Sequence, residues 1–422
     1  MDIYKIRGGK KLEGEVKISG AKNAALPVIV ASLLADGETI LNNVPDLQDI
    51  RTIIKVIQCL GAETSFDTDK KILKINVKGI NNGEVPYELV KTMRASVYVM
   101  GPLLARAGEA DVSLPGGCAI GERPVDIHLA GFEAMGATIN LEHGYIKARA
   151  TELKGNAFTM KKVSVGATAN LLMAAVLTGG KTILENCAME PDVVDLGMFL
   201  IKMGAKISGL GTERIEVEGV KKLSPVTYNI MPDRIEAGTY LIAGAITRGN
   251  VKITGISPKN IEALIQTLRE MGFIIQTGKS WVSVQPSKKL SGTIVKTLPF
   301  PGFPTDLQAP IMALATTIQG ISVVIETIFE NRFTHVPELR RMGADIVIEG
   351  NSAIVRGIKK LSAAPVMMSD LRAGAALVCA ALAAKGETEI RRIYHSDRGY
   401  EDMDKKLTAL GAMIKRIPGG KP

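Results

Sequence analysis

The fold class expected from the sequence is α/β, built inside out: two domains, each of three repeated units with buried helices and outer sheets. Three observations lead there. A short signature recurs six times, each repeat holds two helices of different character, and 422 residues with 46% apolar content are too many for one core and enough to fill two.

The signature is an apolar helical turn that closes on glycine, usually followed by alanine, and then opens a strand. It reads CLGAET, MGATIN, MGAKIS, MGFIIQ, MGADIV and LGAMIK, with glycines at 61, 136, 204, 272, 343 and 411. Successive spacings are 75, 68, 68, 71 and 68 residues. Glycine stands where a helix end must turn through positive φ, and the β-branched residues behind it favour a strand. A second glycine, at 37, 108, 180, 249, 320 and 386, ends another helix and opens another strand. Each unit therefore runs apolar helix, strand, loop, amphipathic helix, strands.

The two helices of a unit require different surroundings. LLMAAVLTGG and APIMALATTIQG are apolar on nearly every side, whereas DIRTIIKVIQCLGAE keeps charge on one face. A helix that is apolar all round has to be buried. In a doubly wound fold the parallel sheet occupies that layer, so this pattern points to helices inside and sheets around them.

The formal charge of +9 would concentrate anions of any kind. Lysine and arginine are scattered, however, and aromatics are only 4% of residues, so no basic stretch is interleaved with base-stacking rings. Nucleic acid is not an expected partner. The stretches AALPVIVASLLA and AGAALVCAALAA fall short of the roughly 20 residues of a membrane span. MDIYKIRGGKKLEG has no apolar core for a secretion signal and the four cysteines form no close pair, which suits the cytoplasm. Cys59, Cys187 and Cys379 are expected as buried structural thiols. The four histidines show no metal-ligand spacing with cysteine, so no metal site is expected. The GGKT at residues 179–182 looks like the end of a phosphate loop, but Ala175 stands where its first glycine is required and a strand follows in place of a helix.

Polar residues gather at two places in the repeat. Lys22, Arg94, Arg234, Asp306 and Arg372 stand 14 or 15 residues before the second glycine, where each apolar helix starts. Free N–H groups and a partial positive charge make such starts anion sites. Asp49, Asp192, Arg332 and Arg398 stand 12 residues after it, in the expected loop between strand and amphipathic helix. In the second unit that loop is LPGGCAIGERP, with Cys118 and Arg123. The two rows are expected to converge between the halves, although helix capping would equally account for any one member. Gly116, Gly117 and Gly121 would let the Cys118 segment move, and neighbouring cations would lower its thiol pKa.

The segments SGAKNAALP (19–27), LPGGCAIGERPVDIH (114–128), FPTDLQAP (303–310), ENRFTHVPELRRMGAD (330–345) and YHSDRGYEDMDKKL (394–407) resemble motifs of the enolpyruvyl transferases, and the resemblance spans the chain. It implies a two-domain inside-out α/β barrel whose N-terminal strand crosses over. Residues 20–231 would then form a first domain carrying the Cys118 loop, and residues 1–19 with 232–422 a second. The implied reaction moves the enolpyruvyl group of phosphoenolpyruvate to the 3-hydroxyl of UDP-N-acetylglucosamine, releases phosphate, needs no cofactor and opens peptidoglycan synthesis. Cations must hold the donor, an acid must protonate its methylene carbon and a base must take the hydroxyl proton.

By this resemblance Lys22, Arg123 and Arg398 face the phosphate, Arg332 and Arg372 the carboxylate, and Asp306 is the base. Cys118 takes the place of the proton donor and can form an adduct with phosphoenolpyruvate. Asn23 and Arg94 would position substrates. Arg123, Pro124, Val125, Asp126 and Ile127, with Lys162, Val163, Ser164 and Val165, match segments that hold the uridine nucleotide, and Ile328, Asp370 and Asp49 complete the set. The sister enzyme that makes enolpyruvylshikimate phosphate shares fold and mechanism, but its first motif is rich in serine and arginine and it lacks the loop cysteine. A nucleic-acid-processing protein on the same repeat would need stacking aromatics. A nucleotide-binding relic is disfavoured because acid, base and cations are all present.

Overall fold

The computed structural model describes residues 1–81, 84–85, 87–90, 93–114 and 125–419, with backbone alone at 84, 90 and 94. The six signature glycines all have positive φ, between 89° and 109°, and each is followed by a strand. In the second set, Gly37, Gly108, Gly180, Gly320 and Gly386 are also left-handed. The fourth unit differs: Arg248 takes the left-handed conformation, φ 54°, because Gly249 lies against residue 12, where a Cβ would fall 2.0 Å from the Leu12 carbonyl oxygen.

Six four-stranded sheets form, one per unit, with a shared strand order. In the second, Glu84–Val85 pairs parallel with Glu109–Ser113, which pairs antiparallel with Tyr145–Arg149, which pairs antiparallel with Thr138–Glu142. In the second, third, fifth and sixth sheets the first strand is borrowed from the segment that precedes the unit. Ala157–Thr159 thus joins the third sheet, and Thr227–Asn229 returns to the first, parallel to Gly37–Asn42. Three units thereby interlock in a cycle. The other three repeat it with Ile294–Lys296, Val366–Met367 and Glu13–Lys17 as the borrowed strands. The strand Ile3–Arg7 fills the third position of the sixth sheet, between Glu387–Arg391 and Met413–Ile417.

The described residues divide into two compact units, one within 20–231 and one made of 1–19 with 232–419. The helices Lys22–Ala31, Met100–Ala107 and Val165–Ala175 run in the core of the first, and Arg234–Ile246, Gln308–Ala315 and Leu371–Ala383 in that of the second. Every residue of Arg234–Ile246 and Gln308–Ala315 is buried. Such helices have no polar face, so packing and not amphipathicity fixes their rotation. Asn170 does this in the first unit: its Oδ1 accepts the Gly101 N–H at 2.8 Å and its Nδ2 donates to the Val97 carbonyl at 2.9 Å. Among the described residues no helix is long and apolar enough to cross a membrane.

Cys187 and Cys379 are buried, and loss of solvation pushes their thiols up to about 11 and about 12. Cys59 corrects the expectation, for it is exposed. It lies nine residues, two and a half turns, beyond the buried Ile50 in the helix Gln48–Cys59, which puts it on the opposite face.

Candidate functional site

In the unit containing residues 232–419, a 3-10 turn, Thr305–Leu307, leads into the helix Gln308–Ala315. Pro310 has no N–H to offer the Asp306 carbonyl, so the entry departs from regular helix at that residue. The Asp306 side chain reaches two arginines. Its Oδ1 accepts from Arg332 Nη2 at 2.7 Å and its Oδ2 from Arg372 Nη2 at 2.8 Å. Both arginines are 4% exposed, while the Asp306 side chain keeps 26%. One carboxylate thus bridges two buried cations, and Asp370 near Arg332 and Asp233 near Arg372 add further negative charge.

Aromatic faces support both guanidinium groups. The Arg332 guanidinium lies 5.3 Å from the Phe329 ring centre and that of Arg372 lies 5.4 Å from Tyr400, distances at which the ring quadrupole attracts a cation. Burial works against the Arg372 charge, but Asp306, Tyr400 and Asp233 together outweigh it and raise the group above the ordinary arginine value. Arg372 Nη1 is buried without a hydrogen-bond acceptor among the described residues, a donor left for a bound acceptor to satisfy. Phe329 and Tyr400 were not legible as site residues. Nothing in the spacing links Phe329 to Arg332 or Tyr400 to Arg372.

The acids at helix starts divide by role. Asp233 caps Arg234–Ile246 and Asp370 caps Leu371–Ala383, each accepting two backbone N–H bonds. Asp370 also accepts from Thr334 Oγ1 at 3.1 Å. Burial raises its carboxyl pKa, but the backbone donors and Arg332 hold it below the usual value. Arg398 ends the 3-10 turn Ile393–Arg398 and is partly exposed. Ile328 is exposed, and its N–H donates to Glu326 Oε1 at 2.8 Å.

In the unit within residues 20–231, Lys22 is the first residue of its helix and Nζ lies 3.1 Å from Asp49 Oδ2, both groups buried. Asp49 and Asp192 lie in the first turns of Gln48–Cys59 and Pro191–Lys202, not in the preceding loops as expected. The positive end of the helix dipole favours an acid there. Asn23 is half-buried. Val125 and Ile127 are buried and Asp126 is exposed at the start of Asp126–Ala134. Lys162 is exposed and Val163, Ser164 and Val165 are half-buried, with Ser164 capping the next helix by accepting from the Ala167 N–H. Cys118, Arg123 and Pro124 lie outside the described residues, as does the side chain of Arg94.

His335 is 1% exposed at the start of the helix Val336–Arg341, with Nε2 3.3 Å from the Met312 sulfur. Burial depresses it to about 4, against the pull of Asp370. A histidine held neutral contributes stability that is full above its unfolded pKa of about 6.5 and is lost as pH falls through the folded value. The loss across that window amounts to about 3 kcal/mol. In His335→Asn the urea midpoint should therefore fall less steeply than in wild type between about pH 6.5 and 4; equal slopes would refute the assignment. No group of three His, Cys, Asp or Glu side chains among the described residues is arranged to hold a metal ion.

The family model described as EPSP synthase (3-phosphoshikimate 1-carboxyvinyltransferase) matches residues 6–407. The chain belongs to this family. Within it, the UDP-N-acetylglucosamine 1-carboxyvinyltransferase of Geotalea uraniireducens (strain Rf4) is 54% identical over 417 residues, covering 99% of this chain and all of the relative. The protein of the same name from Dichelobacter nodosus (strain VCS1703A) is 53% identical, covering 99% of each. Among solved structures, the enolpyruvyl transferase NikO from Streptomyces tendae superposes with a TM-score of 0.89 at 25% identity, over 99% of both chains. EPSP synthase from Acinetobacter baumannii shares the fold, with a TM-score of 0.76 at 17% identity over 99% of this chain and all of that one.

Proposed function

We propose that the chain transfers the enolpyruvyl group of phosphoenolpyruvate to the 3-hydroxyl of UDP-N-acetylglucosamine, releasing phosphate, as the first committed step of peptidoglycan biosynthesis in the cytoplasm. The observation that carries this reading is the 54% identity, end to end, with relatives bearing that activity in their name. In the addition step the sugar oxygen bonds to C2 of the donor, its proton passes to Asp306, and Cys118 gives a proton to the methylene carbon. Elimination then returns a proton from that carbon to the Cys118 thiolate and breaks the C–O bond to phosphate, which leaves with the proton held by Asp306. Lys22, Arg123 and Arg398 hold the phosphate, and Arg332 and Arg372 the carboxylate. The buried, unmatched Nη1 of Arg372 favours that last role. Asn23, Arg94, Asp49, Asp370 and Ile328 position the substrates, and residues 123–127 with 162–165 hold the nucleotide. Each half is an inside-out α/β barrel, a reading favoured by helices buried along their whole length and by cyclic strand exchange.

Phosphate release from phosphoenolpyruvate should depend on UDP-N-acetylglucosamine and not on shikimate 3-phosphate; the reverse preference overturns the proposal. Cys118→Ser should cut turnover by ~10² or more, the scale of a positioned acid, with an unchanged melting temperature. Wild-type turnover in that variant would remove Cys118 from the chemistry.

A further inference from the structure

The six sheets serve as internal controls for one another, because their central rows of outward side chains occupy equivalent positions. In five of them this row contains charge: Lys74 in the first, Asp111 and Lys147 in the second, Glu216 in the third, Lys252 and Glu15 in the fourth, Glu389 and Lys5 in the sixth. The fifth is apolar across all four strands, running Ile294, Val323, Ile354, Val347. Ile321 and Ile325 flank it on the central strand Ile321–Ile325. Ile294 is 71% and Ile321 60% exposed, so a branched apolar stripe faces solvent where every sister sheet is charged.

We infer that this face pairs with the same face of a second copy of the chain. The charges at its margins select that occupant. Lys296 and Glu349 lie on one cross-strand row, at the two opposite edges of the sheet, with Ile325 and Ser352 between them. Neither has an ion-pair partner among the described residues. Two sheets packed face to face lie about 10 Å apart with strands nearly aligned, and a two-fold axis along the strands sets each edge strand over the opposite edge of the copy. Lys296 then meets Glu349 of the second copy, and Glu349 meets its Lys296. The same operation sets Ile294 over Val347 and Val323 over Ile354, so the apolar row meets itself. Ile321 falls on the stem of Arg356, whose charged end is already held by Asp345 at 3.4 Å, leaving its methylenes to pack.

Sedimentation velocity on the full chain tests this. The wild type should pass from monomer to dimer with rising concentration. Val323→Lys, which places a charge at the centre of the stripe, should shift the midpoint at least tenfold upward with unchanged melting temperature and turnover. Lys296→Glu and Glu349→Lys should each weaken the dimer, and the double exchange should restore it, since the restored pair is again opposite in sign. A monomer at every concentration up to about 100 μM, well above the range of a specific interface, overturns the inference. So does a dimer indifferent to Val323→Lys, or one in which the double exchange is no better than either single change.

Discussion

Replacing Asp306 by asparagine should lower turnover by ~10³, within the range for removal of a positioned general base, and should also lower stability. The two effects have separate origins. Turnover falls because the amide cannot take the hydroxyl proton. Stability falls because Arg332 and Arg372, each 4% exposed, lose the carboxylate that compensates them. Breaking a buried pair from one side costs about 3–5 kcal/mol, and the amide oxygen, still able to accept one hydrogen bond, places Asp306→Asn at the lower end. Asp306→Ala should lose more stability and no less turnover. Denaturant titration and steady-state rates distinguish the effects, with UDP-N-acetylglucosamine binding as the control for a folded site. A variant that turns over within tenfold of wild type would exclude Asp306 as the base.

Lys22→Met should reduce kcat/KM for phosphoenolpyruvate by ~10²–10³, the usual consequence of removing one group that stabilises developing charge. Methionine fills much the same volume, so the loss is mainly of charge. Asp49 is 5% exposed and would be left buried opposite an apolar side chain, at a cost of about 3 kcal/mol or more. The double variant Lys22→Met with Asp49→Asn removes both charges and should recover much of that stability without recovering rate. Recovery of both would make Lys22 a structural partner of Asp49 and nothing more.

The repeat was legible because glycine and apolar burial are local demands. A chain that must turn through positive φ at six helix ends shows glycine at each, and a helix buried on every side shows no polar face. Roles at the helix starts were not legible to the same degree. Asp370 immediately precedes its helix and Asp306 lies in the turn that leads into another, yet one caps through two backbone N–H groups and the other holds two arginines. That difference depends on side chains 26 and 66 residues from Asp306, which no local pattern records. Cys59 shows a related limit: the helix was recognised, but its face at the final turn had to be counted from Ile50. The acids at 49 and 192 were displaced by a turn because helices accept an acid in their first turn as readily as a loop does.

The strand Ile3–Arg7, wedged between Glu387–Arg391 and Met413–Ile417, imposes an order on biosynthesis. Residues 20–231 have all their strand partners within their own span, so that unit can complete its sheets as soon as it leaves the ribosome. Ile3–Arg7, ahead of it, has to wait, unpaired, until Glu387–Arg391 has been made, and for its second neighbour until residue 417. At about 5–20 residues per second translation of the intervening chain takes tens of seconds, during which an edge-forming strand is open to wrong partners. Its alternation of Lys5 and Arg7 with Tyr4 and Ile6 keeps one side charged through that interval, a gatekeeping pattern suited to a strand that is synthesised early and used last.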